Sequence, residues 1–482
     1  MEDIMQNGTI NTIPSEQINR CISYDKSGYV FFWNNCVYRA IYKDHAKQIR
    51  ALFQCGLIEE LIEKGLFPLT TITEYKTTDC DFVLHHDKIP VQTLPSEWSF
   101  LMLKDAALVI LKINKIAKHF GYQTIDAHGF NILFHHGKPV FIDIGSFVEI
   151  HNDFNCDKTG WRPYGEFIRS FYTPLKIWSN GDSYFARQAL YGFQLPMFNY
   201  WRYRYCFFRL LPVEWLRKFE FLYYRYKALN SSPMNKFKRL ISVSKTREKI
   251  GDFVVWLAKH KLLLFSSVNL ERLSQKTEHI KLPNISSAWG DYHIDSTITS
   301  RHRYILSAID KYNIKTVLDI AGNAGLLADL ICEYCKVDHV ICADYDENAI
   351  DALYKRIRSN QTNITPVMLD FRASVVDTRF PPPQERLKSD LVVAMALTHH
   401  LILAQGLTLD FIMAQLRSFS EKYVFVEFMP HGLYSSKFDK LPLVPSWYTL
   451  DWFRAGFEKY FILLHEENLE DNRVLLIGKI IK

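Results

Sequence analysis

The sequence has no apolar stretch that reads as a membrane span. Its most apolar long segment, Phe253–Leu270, is broken by Lys259, His260 and Lys261. The opening Met1-Glu-Asp-Ile-Met-Gln is acidic and lacks the apolar core of a secretory signal, so secretion is not expected. Nine cysteines, an odd number spread over 482 residues, make no disulfide framework and fit reduced thiols. Neither sign of charge dominates. A net charge of +6 suits anionic ligands such as nucleotides but does not by itself make a nucleic-acid binder. There is no internal repeat, no low-complexity tract and no Gly-x-Gly-x-x-Gly loop. With 48% hydrophobic and 23% charged residues, the chain reads as a globular protein of two or three domains, expected in the cytoplasm.

The most informative stretch is Thr316–Leu327, Thr-Val-Leu-Asp-Ile-Ala-Gly-Asn-Ala-Gly-Leu-Leu. Val317, Leu318 and Ile320 form a run short enough for a buried strand, and Asp319 sits near its end. Gly322, Asn323 and Gly325 make a tight turn, and Leu326–Tyr334 takes helical spacing. A strand, a glycine turn and a helix start place backbone N–H groups and a positive helix end around a nucleotide-like ligand. Asp319 would repel a pyrophosphate there. It suits a ligand with an amino-acid end, whose ammonium it can help hold.

Further apolar runs follow, each ending in polar residues. His339–Asp344 ends in an acid able to accept both ribose hydroxyls, with Tyr345 beside it. Ile364–Leu369 ends in Asp370-Phe371, where the Asp can accept from an adenine amino group. Asp390–Ala396 runs into Leu397-Thr-His399-His400, and Lys422–Phe428 carries Glu427 before a Pro-His-Gly turn. Strands alternating with helices predict an α/β, Rossmann-like domain whose ligands sit at strand carboxyl ends.

This part resembles the class I S-adenosylmethionine-dependent methyltransferases. The resemblance implies S-adenosylmethionine as cofactor, held by Asp319, Gly322, Asn323, Gly325, Asp344, Tyr345, Asp370 and Phe371. Methyltransferases of DNA bases often carry Asp/Asn-Pro-Pro-aromatic after the fourth strand. Ala396-Leu-Thr-His399-His400 stands there instead, so nucleic acid is not the expected partner. An imidazole near the transferable methyl could act as general base toward a hydroxyl, its unperturbed pKa being near neutral. The sequence does not choose between His399 and His400, and the alternative is that one caps the strand while the other packs below the next helix. Glu427 is a second candidate for orienting the acceptor.

Toward the N-terminus, Tyr29–Trp33 and Cys36–Tyr42 around Asn34-Asn35 predict a hairpin. Helices are expected from Asp44 to about Gly56 and over Leu57–Gly65, strands and turns over 68–93, and a long helix from Leu94 to about His119. Then come Asp126-x-x-x-x-Asn131, a hairpin turning at His135–Lys138, and Asp143-x-Gly145. The order resembles the catalytic loop and metal-binding segment of protein kinases and small-molecule phosphotransferases. That resemblance implies an α+β kinase-like domain in which Asp126 orients an acceptor hydroxyl while Asn131 and Asp143 hold Mg and ATP. Arg39 or Lys43 would meet phosphates, with Glu59 or Glu60 as ion-pair partner. Without a glycine-rich loop, only weak magnesium-dependent ATP binding is expected, abolished by Asp143→Ala. The alternative is a decayed domain whose polar residues only tie a hairpin to a helix.

The chain as a whole resembles bacterial two-part methyltransferases related to nodulation proteins and often associated with surface-polysaccharide genes. The segments that carry this are Trp98–Ala106, Asp126–Phe134, Pro139–Asp143, Trp289–Tyr292, Ala396–Leu401 and Phe425–Pro430. It implies a methyltransferase with a poorly defined acceptor. Together with the histidine reading, the expectation is O-methylation of a glycan or glycoconjugate, the glycan part resting on the resemblance alone. The alternatives are a bifunctional methyltransferase-kinase and a non-catalytic adaptor with two ligand-binding domains. The corresponding division is a kinase-like domain with an aromatic-rich helical extension over 1–265, a linker over 266–290 and a methyltransferase domain over 291–482.

Residues 160–250 are rich in Trp, Tyr, Phe and Arg, as in Trp201–Tyr205 and Tyr223–Lys227. An aromatic core between helices with snorkelling arginines is the favoured reading. Stacking on bases or sugars, or peripheral contact with the inner face of the membrane, is the other. Cys332-Glu-Tyr-Cys335 has metal or redox spacing, but packing of the first methyltransferase helix explains it better.

Overall fold

The computed structural model describes residues 11–21, 25–150, 161–190, 268–282, 298–372, 377, 379–434 and 443–481. The aromatic motifs Trp201–Tyr205 and Tyr223–Lys227 and the Trp289–Tyr292 motif lie outside the described residues. The chain forms two compact units. One comprises Met1–Val109, Phe130–Gly145 and Asn284–Lys482, the other Ile110–Gly129 and Ser146–Pro283.

The first unit begins with a five-stranded antiparallel sheet. Its strands are β1 (Asn19–Arg20), β2 (Gly28–Trp33), β3 (Cys36–Ile41), β4 (Thr70–Ile72) and β5 (Phe82–His86), in the order β1-β2-β3-β5-β4. Asn34 and Asn35 both take positive φ, 49° and 61°, which gives the β2–β3 hairpin the turn that matches strand twist. Helices α1 (Lys43–Gln54) and α2 (Leu57–Glu63) connect β3 to β4. Their apolar faces bury Ile49, Leu52, Leu57, Ile58 and Leu61. The hairpin β6 (Ile132–His135) and β7 (Lys138–Phe141) also belongs to this unit, as does the N-terminal part of α3 (Phe100–His119).

The rest of the unit is a seven-stranded sheet. It contains β8 (Thr316–Ile320), β9 (His339–Asp344), β10 (Ile364–Met368), β11 (Ser389–Ala394), β12 (Ser420–Phe428), β13 (Phe461–Glu470) and β14 (Arg473–Ile480). The order is β10-β9-β8-β11-β12-β14-β13, with β14 antiparallel to both neighbours and the other ladders parallel. The expected strands over 316–428 are all present. The β13–β14 hairpin was not foreseen.

Alternate residues of each central strand feed two cores, as a period of two requires. Val317, Val340, Cys342, Val393 and Phe425 pack with α4 (Ser300–Lys311), α5 (Leu326–Tyr334) and α6 (Glu347–Ile357) on one face. Leu318, Ile341, Val392 and Val424 pack with α7 (Leu409–Phe419) and α8 (Leu450–Glu458) on the other. Burial on both faces is why these strands read as unbroken apolar runs.

Residues from the N-terminal half complete this region. Val91 enters the second core. The buried Arg386 guanidinium pairs with Glu97, whose Oε2 lies 3.0 Å from Arg386 Nη1. Asp105 accepts from Tyr354 Oη and Arg358 Nη1, each at 2.9 Å, and Leu101 N donates to Asp351 Oδ1 at 2.8 Å. Phe134 of β6 meets the Tyr354 ring edge-on at 5.6 Å.

In the second unit, Tyr122–Thr124 pairs antiparallel with Phe147–Glu149. Buried Asn114 ties that strand down: its Oδ1 accepts from Thr124 N and from Trp161 Nε1, each at 3.0 Å. Short helices follow over Tyr164–Phe167, Thr173–Trp178 and Ser183–Leu190, with another at Leu270–Glu278. Among the described residues no helix is long and apolar enough to cross a membrane.

Candidate functional site

The turn after β8 is built from left-handed residues. Ala321 has φ 60°, Asn323 51° and Gly325 81°, an arrangement that side-chain-bearing residues seldom accept. A Cβ on Gly322 would stand 2.6 Å from Asp319 Oδ2 and 2.7 Å from Cys342 Sγ, so only glycine fits. Gly325 is the N-terminal cap of α5 and directs that helix start toward the turn.

Two acids line the adjoining strand ends. Asp319 is buried and its Oδ2 has no hydrogen-bond partner. Burial first, then the neighbouring Asp344, pushes its pKa up to about 7, while Arg301 pulls the other way. Asp344 accepts from Asn323 N at 2.9 Å on Oδ2 and from Asp346 N at 2.8 Å on Oδ1. Burial raises its pKa too, and the backbone amides oppose that. Asp346 in turn caps α6 by accepting from Asn348 N and Ala349 N.

At the end of β10, Asp370 takes the Arg372 guanidinium on both oxygens, 2.9 Å to Nε and 2.8 Å to Nη2. Arg372 also lies 5.6 Å from the exposed Tyr345 ring, whereas Phe371 is buried in the core. Asp319, Gly322, Asn323, Gly325 and Asp344 therefore form one cradle. Tyr345, next to Asp344, and Asp370, at the end of β10, are joined through Arg372.

The ends of β11 and β12 meet through Glu427, which is wholly buried. Its Oε2 accepts from Arg473 Nη1 at 2.8 Å and from Ala396 N at 2.9 Å, and Thr398 Oγ1 donates to its backbone carbonyl at 2.8 Å. Glu427 Oε2 is thus occupied inside the protein, holding the turn that presents the histidines. Ala396 in that turn is again left-handed, with φ 47°. His399 is buried with Nδ1 unpartnered, and burial pushes its pKa down to about 3. The near-neutral value that general-base work needs is therefore not that of His399. His400, whose ring centroid lies 4.1 Å away, is half-buried, and its pKa is lowered by burial.

Arg473 was missed from sequence because it belongs to the unforeseen hairpin. The Asp471-Asn472 pair between two apolar runs was its available signal.

The kinase-like candidates divide between the units. Asp126 is in the second, where its N–H donates to Ser146 Oγ at 3.3 Å. Asn131 and Asp143 are in the first, and Asn131 Nδ2 lies 3.4 Å from Asp143 Oδ2. Asp143 Oδ1 meets the buried Arg39 guanidinium at 3.2 Å and accepts from Gly145 N at 3.1 Å. Arg39 also pairs with Asp25. Lys43, Glu59 and Glu60 are not part of this cluster among the contacts described. The described residues contain no group of three or more His, Cys, Asp or Glu able to hold a metal.

No protein-family model matches the chain. Nodulation protein NoeA of Rhizobium meliloti (strain 1021) is 23% identical over 444 residues, covering 84% of this chain and 83% of that protein. The PH0226 protein of Pyrococcus horikoshii OT3 matches 39% of this chain and 98% of its own, at 15% identity and TM-score 0.31. N-methyltransferase NodS of Bradyrhizobium japonicum WM9 matches 38% of this chain and 95% of its own, at 11% identity and TM-score 0.28. Likenesses this remote carry no functional weight. The seven-stranded sheet itself, with its reversed β14 inserted beside the edge, is methyltransferase-like in strand order.

Proposed function

We propose that the chain is an S-adenosylmethionine-dependent O-methyltransferase. One observation carries the reading: a buried, unpartnered Asp319 carboxyl faces a turn that only glycine can occupy, beside a second acid at the next strand end. An orphaned carboxyl oxygen in a side-chain-free cradle fits the ammonium of an amino-acid end. Asp344 keeps lone pairs for ribose hydroxyls on oxygens that its two backbone donors already fix in place. Asp370 would meet the adenine amino group after yielding part of its contact with Arg372.

When bound, S-adenosylmethionine supplies a methyl group activated by a sulfonium. The chain's own residues would bind it, keep it at the strand carboxyl ends and orient the acceptor. His400 is the better placed imidazole to meet an acceptor hydroxyl, being partly exposed, with His399 behind it and Glu427 fixing the turn. The acceptor class, a glycan or glycoconjugate, comes from the resemblance of the sequence. Mass spectrometry of ligand carried through purification, followed by transfer of labelled methyl to polysaccharide fractions, tests the reading. Binding without any transfer would favour the adaptor.

A second reading is favoured by the small sheet. It takes this sheet, ordered β1-β2-β3-β5-β4 with helices between the third and fourth strands, as the smaller lobe of the kinase-like domain that the sequence resembles. In this reading the lobe is a scaffold, because the Arg39 guanidinium already occupies the Asp143 carboxylate that would otherwise be offered to magnesium. A thermal shift with ATP and magnesium, lost in Asp143→Ala, would restore the bifunctional alternative.

A further inference from the structure

The carboxyl end of β12 carries an aromatic group that cofactor binding does not use. Phe428 closes the strand, and its ring packs against Tyr448 and Phe453, each at 4.9 Å. Trp447 stands edge-on to two rings, 4.9 Å from Trp452 and 6.0 Å from Tyr448. Its neighbours hold it in place, yet it remains 50% exposed. This group is joined to the histidine turn. Gly432, just after β12, takes φ 56°, and a Cβ there would stand 2.7 Å from Leu403 Cδ1 and 3.1 Å from Val444 Cγ1. Leu403 belongs to the helical turn His400–Ala404, and Val444 leads into Trp447. The indole therefore shares a strand end with His400. Tyr448 adds a second, independent sign. Its hydroxyl is buried without a hydrogen-bond partner, which is unfavourable in a finished core. Burial also pushes its pKa up, so the group stays a donor.

We propose that Trp447 and Tyr448 form a sugar subsite for the acceptor, the indole stacking on the C–H face of a pyranose and the Tyr448 hydroxyl donating to one of its oxygens. This deepens the O-methyltransferase reading and rests on it. A pyranose has an apolar face of C–H bonds and a rim of hydroxyls. Its receptor needs a fixed flat ring with a hydrogen-bonding group beside it. An exposed indole next to an orphaned phenol meets both needs, and an aliphatic patch would meet only the first.

The test is affinity electrophoresis of the full chain in native gels cast with a soluble β-glucan, a mannan or a galactan. At least one polysaccharide should retard wild type. Trp447→Ala should weaken that retention by about 10-fold or more, and Trp447→Phe should keep part of it. Tyr448→Phe, which removes only the hydroxyl, should weaken it by about 3–10-fold. Calorimetry with S-adenosylhomocysteine should give the same affinity for Trp447→Ala as for wild type. Wild type retarded by none of the three, which needs no variant to fold, overturns the subsite. So does unchanged retention in Trp447→Ala, or a parallel loss of S-adenosylhomocysteine binding. A wild-type dimer that Trp447→Ala converts to monomer in sedimentation would give the ring to a second copy and overturn it too. Retention lost in Trp447→Ala, with no S-adenosylhomocysteine bound by wild type, would instead remove the methyltransferase reading and leave the sugar surface standing.

Discussion

Asn323 donates its backbone N–H to Asp344 Oδ2 at 2.9 Å, so the end of β9 holds the turn that follows β8. The same carboxylate takes Asp346 N, which starts α6. One acid thus fixes two backbone segments and still faces the cradle. Asp344→Ala should strand two buried amides, at about 1–3 kcal/mol each, and weaken cofactor binding by about 2–4 kcal/mol. Asp344→Asn keeps one acceptor oxygen and should fall between. Calorimetry on a folded Asp344→Ala chain with undiminished affinity would take this residue out of the site.

If the proposed site is right, Asp319 makes cofactor binding proton-linked. Its ordinary pKa of 3.8 is raised to about 7 in the fold, so between those values the folded chain retains a proton that the unfolded chain has lost. This group's contribution to stability therefore declines as pH rises through that window. A ligand ammonium needs the ionised form, so binding at pH 6 should release close to one proton and tighten as pH rises toward 7. Titrations in two buffers of different ionisation enthalpy measure the release. A heat independent of buffer would mean that Asp319 does not meet a cation.

Three buried histidines act in the opposite sense. His399 and His86 have pKa values lowered to about 3, and His339 to about 4, each chiefly by burial. Their contributions are present above the unfolded value of 6.5 and are lost as pH falls below it, because only the unfolded chain then takes up protons. Three such protons outweigh the one retained by Asp319. The chain should lose about 2–3 kcal/mol of stability per pH unit near pH 5. Denaturant midpoints measured from pH 7.5 to 5 check this, and a flat or rising profile would contradict it.

How much of this was readable follows from local chemistry. Parallel strands buried on both faces must be apolar throughout, so β8 to β12 and the acids at their ends stood out. The β13–β14 hairpin did not, because Glu466, Glu467 and Glu470 interrupt the apolar pattern of β13. Arg473 was hidden with it, and so was the reason Glu427 is buried. The loss of basicity at His399 is a desolvation effect that no spacing encodes. Nor does any local signal announce that Val91, Glu97 and Asp105 complete the region of the seven-stranded sheet, far along the chain.

That last feature bears on where the chain can be cut. Glu97→Ala leaves the Arg386 guanidinium buried without its counter-charge, which should cost about 3–5 kcal/mol. A fragment spanning 284–482 also loses Val91 and the Asp105 acceptor for Tyr354 and Arg358, and should show no cooperative unfolding transition. Denaturant curves of both decide it. A fragment with a sharp transition near that of the full chain would show the N-terminal contacts to be dispensable.

The central claim is that the Gly322 turn receives the cofactor, and the most direct measurement is S-adenosylhomocysteine titrated into wild type and Gly322→Val by calorimetry. Wild type should bind one equivalent. The folded valine variant should bind none detectably, since its first added atom falls 2.6 Å from Asp319 Oδ2. Equal binding by both proteins, or none by a folded wild type, would contradict the account.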